Sequence, residues 1–94
     1  MSYREIRTLT GALPSGGLEL VQPIAFEVEI LEGQVIASVP DLDEYAVGET
    51  EEEAVEHLRR LIVDLYWHLA GDQDRLGPDL LEVWERLRSS VKAP

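Results

Sequence analysis

The sequence predicts an α+β fold, in which a small antiparallel sheet of three to four strands packs on one long helix and a C-terminal helix follows. Two observations predict this β-β-β-α core. Residues 24–47 hold short stretches of alternating apolar and polar residues separated by turn-forming residues, which is typical of β-strands. Residues 50–92 then show apolar residues at every third or fourth position, which is the period of amphipathic helices.

The strand signals are clearest in IAFEVEIL (24–31), where alternation places four apolar side chains on one side: Ile24, Phe26, Val28 and Ile30. The dipeptide Glu32-Gly33 predicts a tight turn. QVIASVP (34–40) is a second strand ended by its proline, and YAV (45–47) is a short third strand. We expect Gly48 to end that strand by adopting a φ that a side chain would resist.

The first helix begins at a capping box formed by Thr50 and Glu53. The Thr50 hydroxyl can accept from the N–H three residues on, while the Glu53 carboxylate can reach back to the N–H of the cap residue. Glutamates 51–53 lie at the positive end of the helix dipole and need no ligand. The helix should end at Gly71, after an apolar stripe made of Ala54, Leu58, Leu61, Ile62, Leu65 and Leu69.

A second helix is predicted over residues 77–92, with Pro78 at its first position. Its apolar stripe comprises Leu80, Leu81, Trp84, Leu87 and Val91. Residues 1–22 are less regular, because two loosely alternating segments flank the turn sequence PSGG (14–17). They predict either a hairpin or a loose arm.

Composition and charge narrow the class of protein. The 94 residues fit one domain, 1–94, and the absence of cysteine excludes disulfides and thiolate metal sites. No apolar run approaches the ~20 residues of a membrane span, and MSYREIRTLT lacks the apolar core of a signal peptide, so we expect a cytoplasmic protein. The net charge of −11 repels nucleic acid and anionic lipid and favours basic partners. The alternative interpretation is that the acidity only maintains solubility.

A strand ending in ASVPDL, a short strand, GET, and EEA opening an amphipathic helix together resemble the HicB-like antitoxin family. The resemblance covers about residues 24–70, and the matching positions are Pro40, Asp41, Leu42, Gly48, Glu49, Thr50, Glu52, Glu53 and Ala54. It implies a β-β-β-α core like a reduced ribonuclease H fold without the catalytic acids. It also implies a dimer or tetramer that neutralises a small basic ribonuclease toxin by covering it.

The chain departs from that family in three places. It has DEY (43–45) where the family often carries PGC, and residues 1–23 match no segment of the family pattern. Residues 72–94 read as one helix instead of a DNA-binding segment. We therefore expect a divergent or stand-alone relative that does not bind nucleic acid.

The candidate partner-binding site is the acidic connector, which we define as Asp41, Asp43, Glu44 and Glu49. Its carboxylates can imitate a phosphate backbone and occupy the basic cleft of a ribonuclease, where complementary charge speeds association. The alternative is a solvated acidic turn.

A second candidate site is an interface between copies of the chain, as homodimer or homotetramer, formed by Val63, Tyr66, Trp67 and Trp84. Tryptophan is enriched among the anchors of such interfaces. The alternative is that the second helix folds back over this flank of the first, so that these residues belong to the core of one chain.

We expect neither catalysis nor a cofactor nor a bound metal. His57 and His68 are eleven residues apart on one helix, about 16 Å at 1.5 Å per residue, so one ion cannot bridge them. Asp64 and His68 lack an evident third ligand. The sequence also shows neither a nucleophile motif nor a glycine-rich phosphate loop.

Overall fold

The computed structural model describes residues 3–14 and 17–94, and within them it confirms the α+β fold. Four strands form an antiparallel sheet in the order β1-β2-β3-β4, and a two-residue strand, β5, pairs with β2. No helix within these residues is long and apolar enough to cross a membrane. The elements are β1 (Tyr3–Ala12), β2 (Glu19–Leu31), β3 (Gln34–Val39), β4 (Glu44–Gly48), α1 (Glu51–Gly71), α2 (Pro78–Ser90) and β5 (Val91–Lys92).

The N-terminal segment forms the hairpin, not the loose arm. β1 pairs with β2 along its length, with Arg4 opposite Glu29. Beyond the strand ends, the Leu13 N–H donates to the Leu18 carbonyl at 2.9 Å. Of the predicted turn PSGG, Ser15 and Gly16 lie outside the described residues.

The two apolar segments predicted around Pro23 are one continuous strand, β2. The register of β1 on β2 shifts between Leu9 and Gly11, which pair with Ile24 and Leu20. Three residues of β2 therefore stand against the single residue Thr10. Because Pro23 lies in this bulge, its missing N–H is tolerated inside a long strand.

The strands β2, β3 and β4 form a meander, as predicted. Glu32 and Gly33 both have positive φ, 52° and 81°, which is the backbone of a two-residue hairpin turn with the twist that strands require. After β3, residues Pro40–Leu42 make one turn of 3-10 helix. Asp43 leaves that turn in the left-handed region at φ 54° and leads into β4.

Helix α1 covers one face of this sheet, and the core lies between them. Buried side chains alternate along β2 and β3, and α1 contributes Ala54, Leu58 and Ile62, each fully buried. The alternation predicted for β2 continues to Ile30, but that residue is 52% exposed. Its expected burial is wrong, although its side of the strand is the expected one. The open face is the opposite side of the sheet, defined by Arg4, Ile6, Thr8, Ala25, Glu27, Glu29, Ile36, Ser38, Tyr45 and Val47.

Helix α1 begins at the predicted cap and ends at the predicted glycine, Gly71. The Glu53 N–H donates to the Thr50 hydroxyl oxygen at 3.1 Å. The Glu53 carboxylate accepts from the N–H of Glu49 at 3.3 Å, one residue before the cap, so the expected return bond to the cap N–H is wrong. The bond to Thr50 satisfies one of the donors that a helix start leaves free.

Gly48 is required for a different reason from the expected one. Its φ is not in the left-handed region, unlike that of Gly33. A Cβ built on Gly48 would lie 2.5 Å from the backbone nitrogen of Ala54 and 2.9 Å from the carbonyl carbon of Glu53. Glycine is needed because the end of β4 passes directly against the first turn of α1.

Helix α2 is shorter than predicted. Val91 and Lys92, expected in its last turn, are extended and pair with Leu20 and Glu19 of β2. Val91 is buried there, and a β-branched residue suits a strand better than a helix end. At the other end Leu80 is 49% exposed, so the predicted stripe is buried only from Trp84 onward.

We expect Gly48→Ala to lower the free energy of unfolding by about 1–3 kcal/mol, because an added methyl group overpacks against rigid backbone. Urea denaturation followed by tryptophan fluorescence measures the change. Gly71→Ala is the control, since a Cβ there meets nothing within 4 Å and its φ is ordinary. An equal loss in both variants would contradict the close approach.

We expect Thr50→Ala to cost about 0.5–2 kcal/mol of unfolding free energy, because the Glu53 N–H loses its acceptor. Thr50→Ser keeps the hydroxyl and should stay close to the unsubstituted chain. The same denaturation experiment compares the two. A serine variant as unstable as the alanine variant would show that the methyl group, not the cap, matters.

Candidate functional site

The four carboxylates of the acidic connector do not form one cluster. Asp41, Asp43 and Glu44 lie at the connection between β3 and β4, whereas Glu49 follows the far end of β4. Five steps of extended chain separate Glu44 from Glu49, which is about 16 Å at 3.3 Å per residue. The run of acids in the sequence is therefore divided by a strand.

Asp41 lies in the 3-10 turn and borders a depression on the open face of the sheet. The floor of the depression is apolar, with Ile6, Ala25 and Pro40, and Glu27 lines it with Asp41. These two acids are far apart in the sequence, because Glu27 lies in β2 and Asp41 lies in the 3-10 turn after β3. The sequence gives only a weak indication that they are close. Glu27 lies opposite Ser38, two residues before Pro40, and this follows only from the β2–β3 register.

Two arginines stand near these carboxylates. Arg86 approaches Asp41 at 3.8 Å, and Arg4 approaches Glu27 at 3.8 Å and Glu29 at 3.2 Å. Each of these pairs is at least partly exposed to solvent. Each therefore contributes little to the stability of the fold, roughly 0–1 kcal/mol. An incoming cation can therefore displace the arginines from these carboxylates or bind the carboxylates together with them.

Asp43 is exposed in its left-handed position, and its N–H donates to the Pro40 carbonyl at 3.2 Å. This bond holds the turn, while the carboxylate points to solvent. Among the ion pairs of the described residues, none involves Asp43. It is the part of the connector most available to a partner.

Glu44 faces helix α1 instead of the open side. It lines a surface depression with Asp64 and His68 and with two half-buried leucines of α1, Leu61 and Leu65. Partial burial raises the pKa of Glu44, and the neighbouring negative charge of Asp43 raises that pKa further. The ionised form of Glu44 is therefore disfavoured in this position. Glu44 is less suited than Asp43 to bind a basic partner.

Glu49 belongs to the acidic start of α1. Its own N–H binds Glu53, and Glu51 in the same turn accepts from Arg7 of β1 at 3.0 Å. Arg7 also pairs with Glu5 on its own strand, and this hydrogen bond raises the pKa of Arg7. The helix dipole favours the acids of this turn, and Arg7 pairs with Glu51 among them.

The histidines do not form a metal site. The Nδ1 of His57 lies 2.8 Å from the carbonyl oxygen of Val47, so this ring binds the edge of β4. His68 lies in the depression beside Glu44 and Asp64. Within residues 3–14 and 17–94, no group of three or more His, Asp or Glu residues is arranged to hold a metal ion.

The candidate interface residues divide between core and surface. Val63 is 4% and Trp84 5% exposed, so both lie in the core of a single chain, as the alternative interpretation held. Tyr66 is half-buried, with its ring centre 5.1 Å from that of Trp67 and 5.2 Å from that of Trp84. Trp67 is 46% exposed and is the member that presents a large apolar surface to solvent. The predicted interface now depends on Trp67 and the exposed side of Tyr66.

The Asp41 side of the open face combines apolar and acidic side chains. It offers an apolar floor, carboxylates at its rim and a second exposed acid at Asp43. An arginine or lysine side chain has the matching shape, with an apolar stem and a charged end. This surface can bind a cationic group, and nothing in its arrangement activates a nucleophile.

We expect Glu44→Gln to stabilise the chain at pH 7. Because the folded pKa lies above the ordinary value of 4.5, the folded chain holds this proton to higher pH than the unfolded chain does. Stability therefore falls as pH rises through the interval above 4.5, and the amide removes that loss. Urea unfolding of both proteins from pH 4 to 8 should show a gain at neutral pH that disappears at the acid end. Glu49→Gln, which removes one negative charge at an exposed position, is the control, and an equal gain there would contradict the assignment to Glu44.

Comparison of the chain with models of protein families, with characterised proteins and with solved structures finds no match in any of the three. The resemblance to HicB-like antitoxins therefore depends on the motif between Pro40 and Ala54.

Proposed function

We propose that this protein is a HicB-like, antitoxin-type binding module that sequesters a small basic ribonuclease. The observation that carries the proposal is the pair of exposed carboxylates, Asp41 and Asp43, on the connection between β3 and β4. Asp41 lies where the family pattern has its proline–acid–leucine segment, and Asp43 follows it in DEY (43–45), where this chain departs from that pattern. A net charge of −11 supplies the long-range attraction for a basic partner.

The architecture supports the same proposal. The meander of β2, β3 and β4 followed directly by α1 is the β-β-β-α order that the resemblance implies. The acids of the connector are presented on a rigid turn: Pro40 fixes one φ, and Asp43 closes the turn onto the Pro40 carbonyl. A rigid acidic turn loses little conformational entropy when it enters a cleft.

The part that each acid plays differs in this proposal. Asp41 and Asp43 contact the partner, and Glu27 contributes from the open face. Glu44 and Glu49 act through the general field of the protein, because one faces α1 and the other belongs to the helix start. The binding surface is thus smaller than the connector defined from the sequence.

A second candidate function is a structural or regulatory homo-oligomer without a toxin partner. The exposed indole of Trp67 favours it, since tryptophan is a common anchor of protein interfaces. The two candidates differ in what they bind: the oligomer needs only further copies of the chain. If the chain is co-expressed with a small basic protein encoded beside it and purifies only with further copies of itself, the oligomer is favoured.

We expect a small basic ribonuclease encoded beside this chain to co-purify with it when both are expressed and to lose its RNA-cleaving activity in the complex. Asp41→Asn with Asp43→Asn should slow association by roughly tenfold, because two carboxylates leave the contact surface. Stopped-flow fluorescence measures the rate, and a ribonuclease assay measures the inhibition.

The matched control is Glu19→Gln with Glu32→Gln, which removes two charges from exposed positions at the start of β2 and in the β2–β3 turn. Long-range attraction changes equally in both variants, so only a local contact separates them. Equal rates in the two variants would show that the connector is not the contact. A fully active ribonuclease in the presence of excess chain would overturn the proposed function.

A further inference from the structure

The outer edge of the sheet at β1 remains open. β1 is ten residues long, and within residues 3–14 and 17–94 it pairs with β2 on one side only, so alternate backbone N–H and C=O groups face outward. Near its end the Thr10 carbonyl accepts from Arg59 at 3.1 Å. The opposite edge is different: β4 has five residues, and His57 binds its Val47 carbonyl. Of the two edges, β1 is the one with room for another strand.

The side chains of β1 suit a second copy of the same strand. Two copies related by a twofold axis through Ile6 run antiparallel and place Ile6 opposite Ile6. Glu5 of each copy then faces Arg7 of the other, so two pairs of opposite charge flank the axis. Facing residues have the same parity, which is what matching outward N–H and C=O groups require.

Neighbouring registers lack this complementarity. An axis through Glu5 sets two carboxylates opposite each other, and an axis through Arg7 sets two guanidinium groups opposite each other. Like charges directly opposite destabilise a strand pair. Edge charges usually prevent pairing, but here their order along the strand permits one register and opposes those beside it.

Exposure and charge balance agree with this pairing. Ile6 is 72% exposed, the highest value among the exposed large apolar residues of the described chain. With two arginines against one glutamate, β1 is also the one strand of the four-stranded path with a net positive charge. Two strongly acidic molecules repel each other least when they approach through this strand.

We infer that two copies of this chain associate through β1, antiparallel about a twofold axis at Ile6, to form one continuous sheet across the dimer. Glu5 and Arg7 lie on the side of the sheet that carries α1, and Ile6 lies on the open face. The axis is perpendicular to the sheet, so both copies keep their helices on the same side. This interface is separate from Trp67 and does not depend on the proposed function.

A cysteine pair tests the register, because the natural chain has no cysteine. In the inferred dimer, I6C brings two sulfurs together across the axis, where facing Cα atoms stand about 4.5–5.5 Å apart. T8C is the matched control: it is exposed on the same face, but its two copies are four residues out of register, about 13 Å apart. We expect a disulfide-linked dimer from I6C under mild oxidation, reversed by reductant, and monomer from T8C. Equal linking of both variants, or of neither, would overturn the inference.

Charge exchange tests the same contact without altering Ile6. E5R and R7E should each be monomeric in sedimentation velocity, because each sets like charges opposite each other, whereas the unsubstituted chain should be dimeric. Mixing the two variants restores opposite charges at every facing position, so the mixture should form a heterodimer. A single variant that remains dimeric, or a mixture that remains monomeric, would overturn the inference. If a charge variant fails to fold, the cysteine pair decides alone, since it leaves Glu5 and Arg7 unchanged.

Discussion

The junction between β4 and α1 is the constraint on which the rest of the structure depends. The backbone of Gly48 passes so close to Ala54 that a Cβ would lie 2.5 Å from its nitrogen. Two residues later Thr50 caps the helix. Because the end of β4 and the start of α1 are held this close together, α1 must run back across β3 and β4. The burial of Ala54, Leu58 and Ile62 follows from that direction.

The direction of α1 also determines where the negative charge goes. The helix covers one face of the sheet, so an acid at the β3–β4 connection can face either α1 or solvent. Adjacent residues there face different surroundings. Glu44 faces the helix, where burial raises its pKa, while Asp43 stays in solvent. Asp41 lies on the open face with Glu27. A run of acids that looks uniform in sequence thus becomes three environments with different chemistry.

How much of this could be predicted depends on whether the signal is local. The helix cap, the Glu32-Gly33 turn and the strand alternation depend on residues within a few positions of each other, and the structure confirms them. The exposure of Ile30 and Leu80 depends on whether another element covers them, which no local pattern records. To predict the β1–β2 register, or that Glu27 and Asp41 line one depression, one must know which distant segments of the chain pair with each other. For Gly48, the residue was correctly singled out, but the reason was a close contact instead of a dihedral angle.

The two proposals meet at Ile6. This residue forms part of the apolar floor beside Asp41 and also marks the twofold axis of the inferred dimer. In that dimer the two depressions would therefore adjoin across the axis, each bringing its own Glu27 and Asp41. The open face of the dimer would then present four carboxylates around a shared apolar strip, a larger target than one chain offers. Because each exposed ion pair contributes little, affinity for a basic partner on this surface would come from several such contacts made together. Doubling the surface by symmetry supplies them without adding residues to a chain of 94.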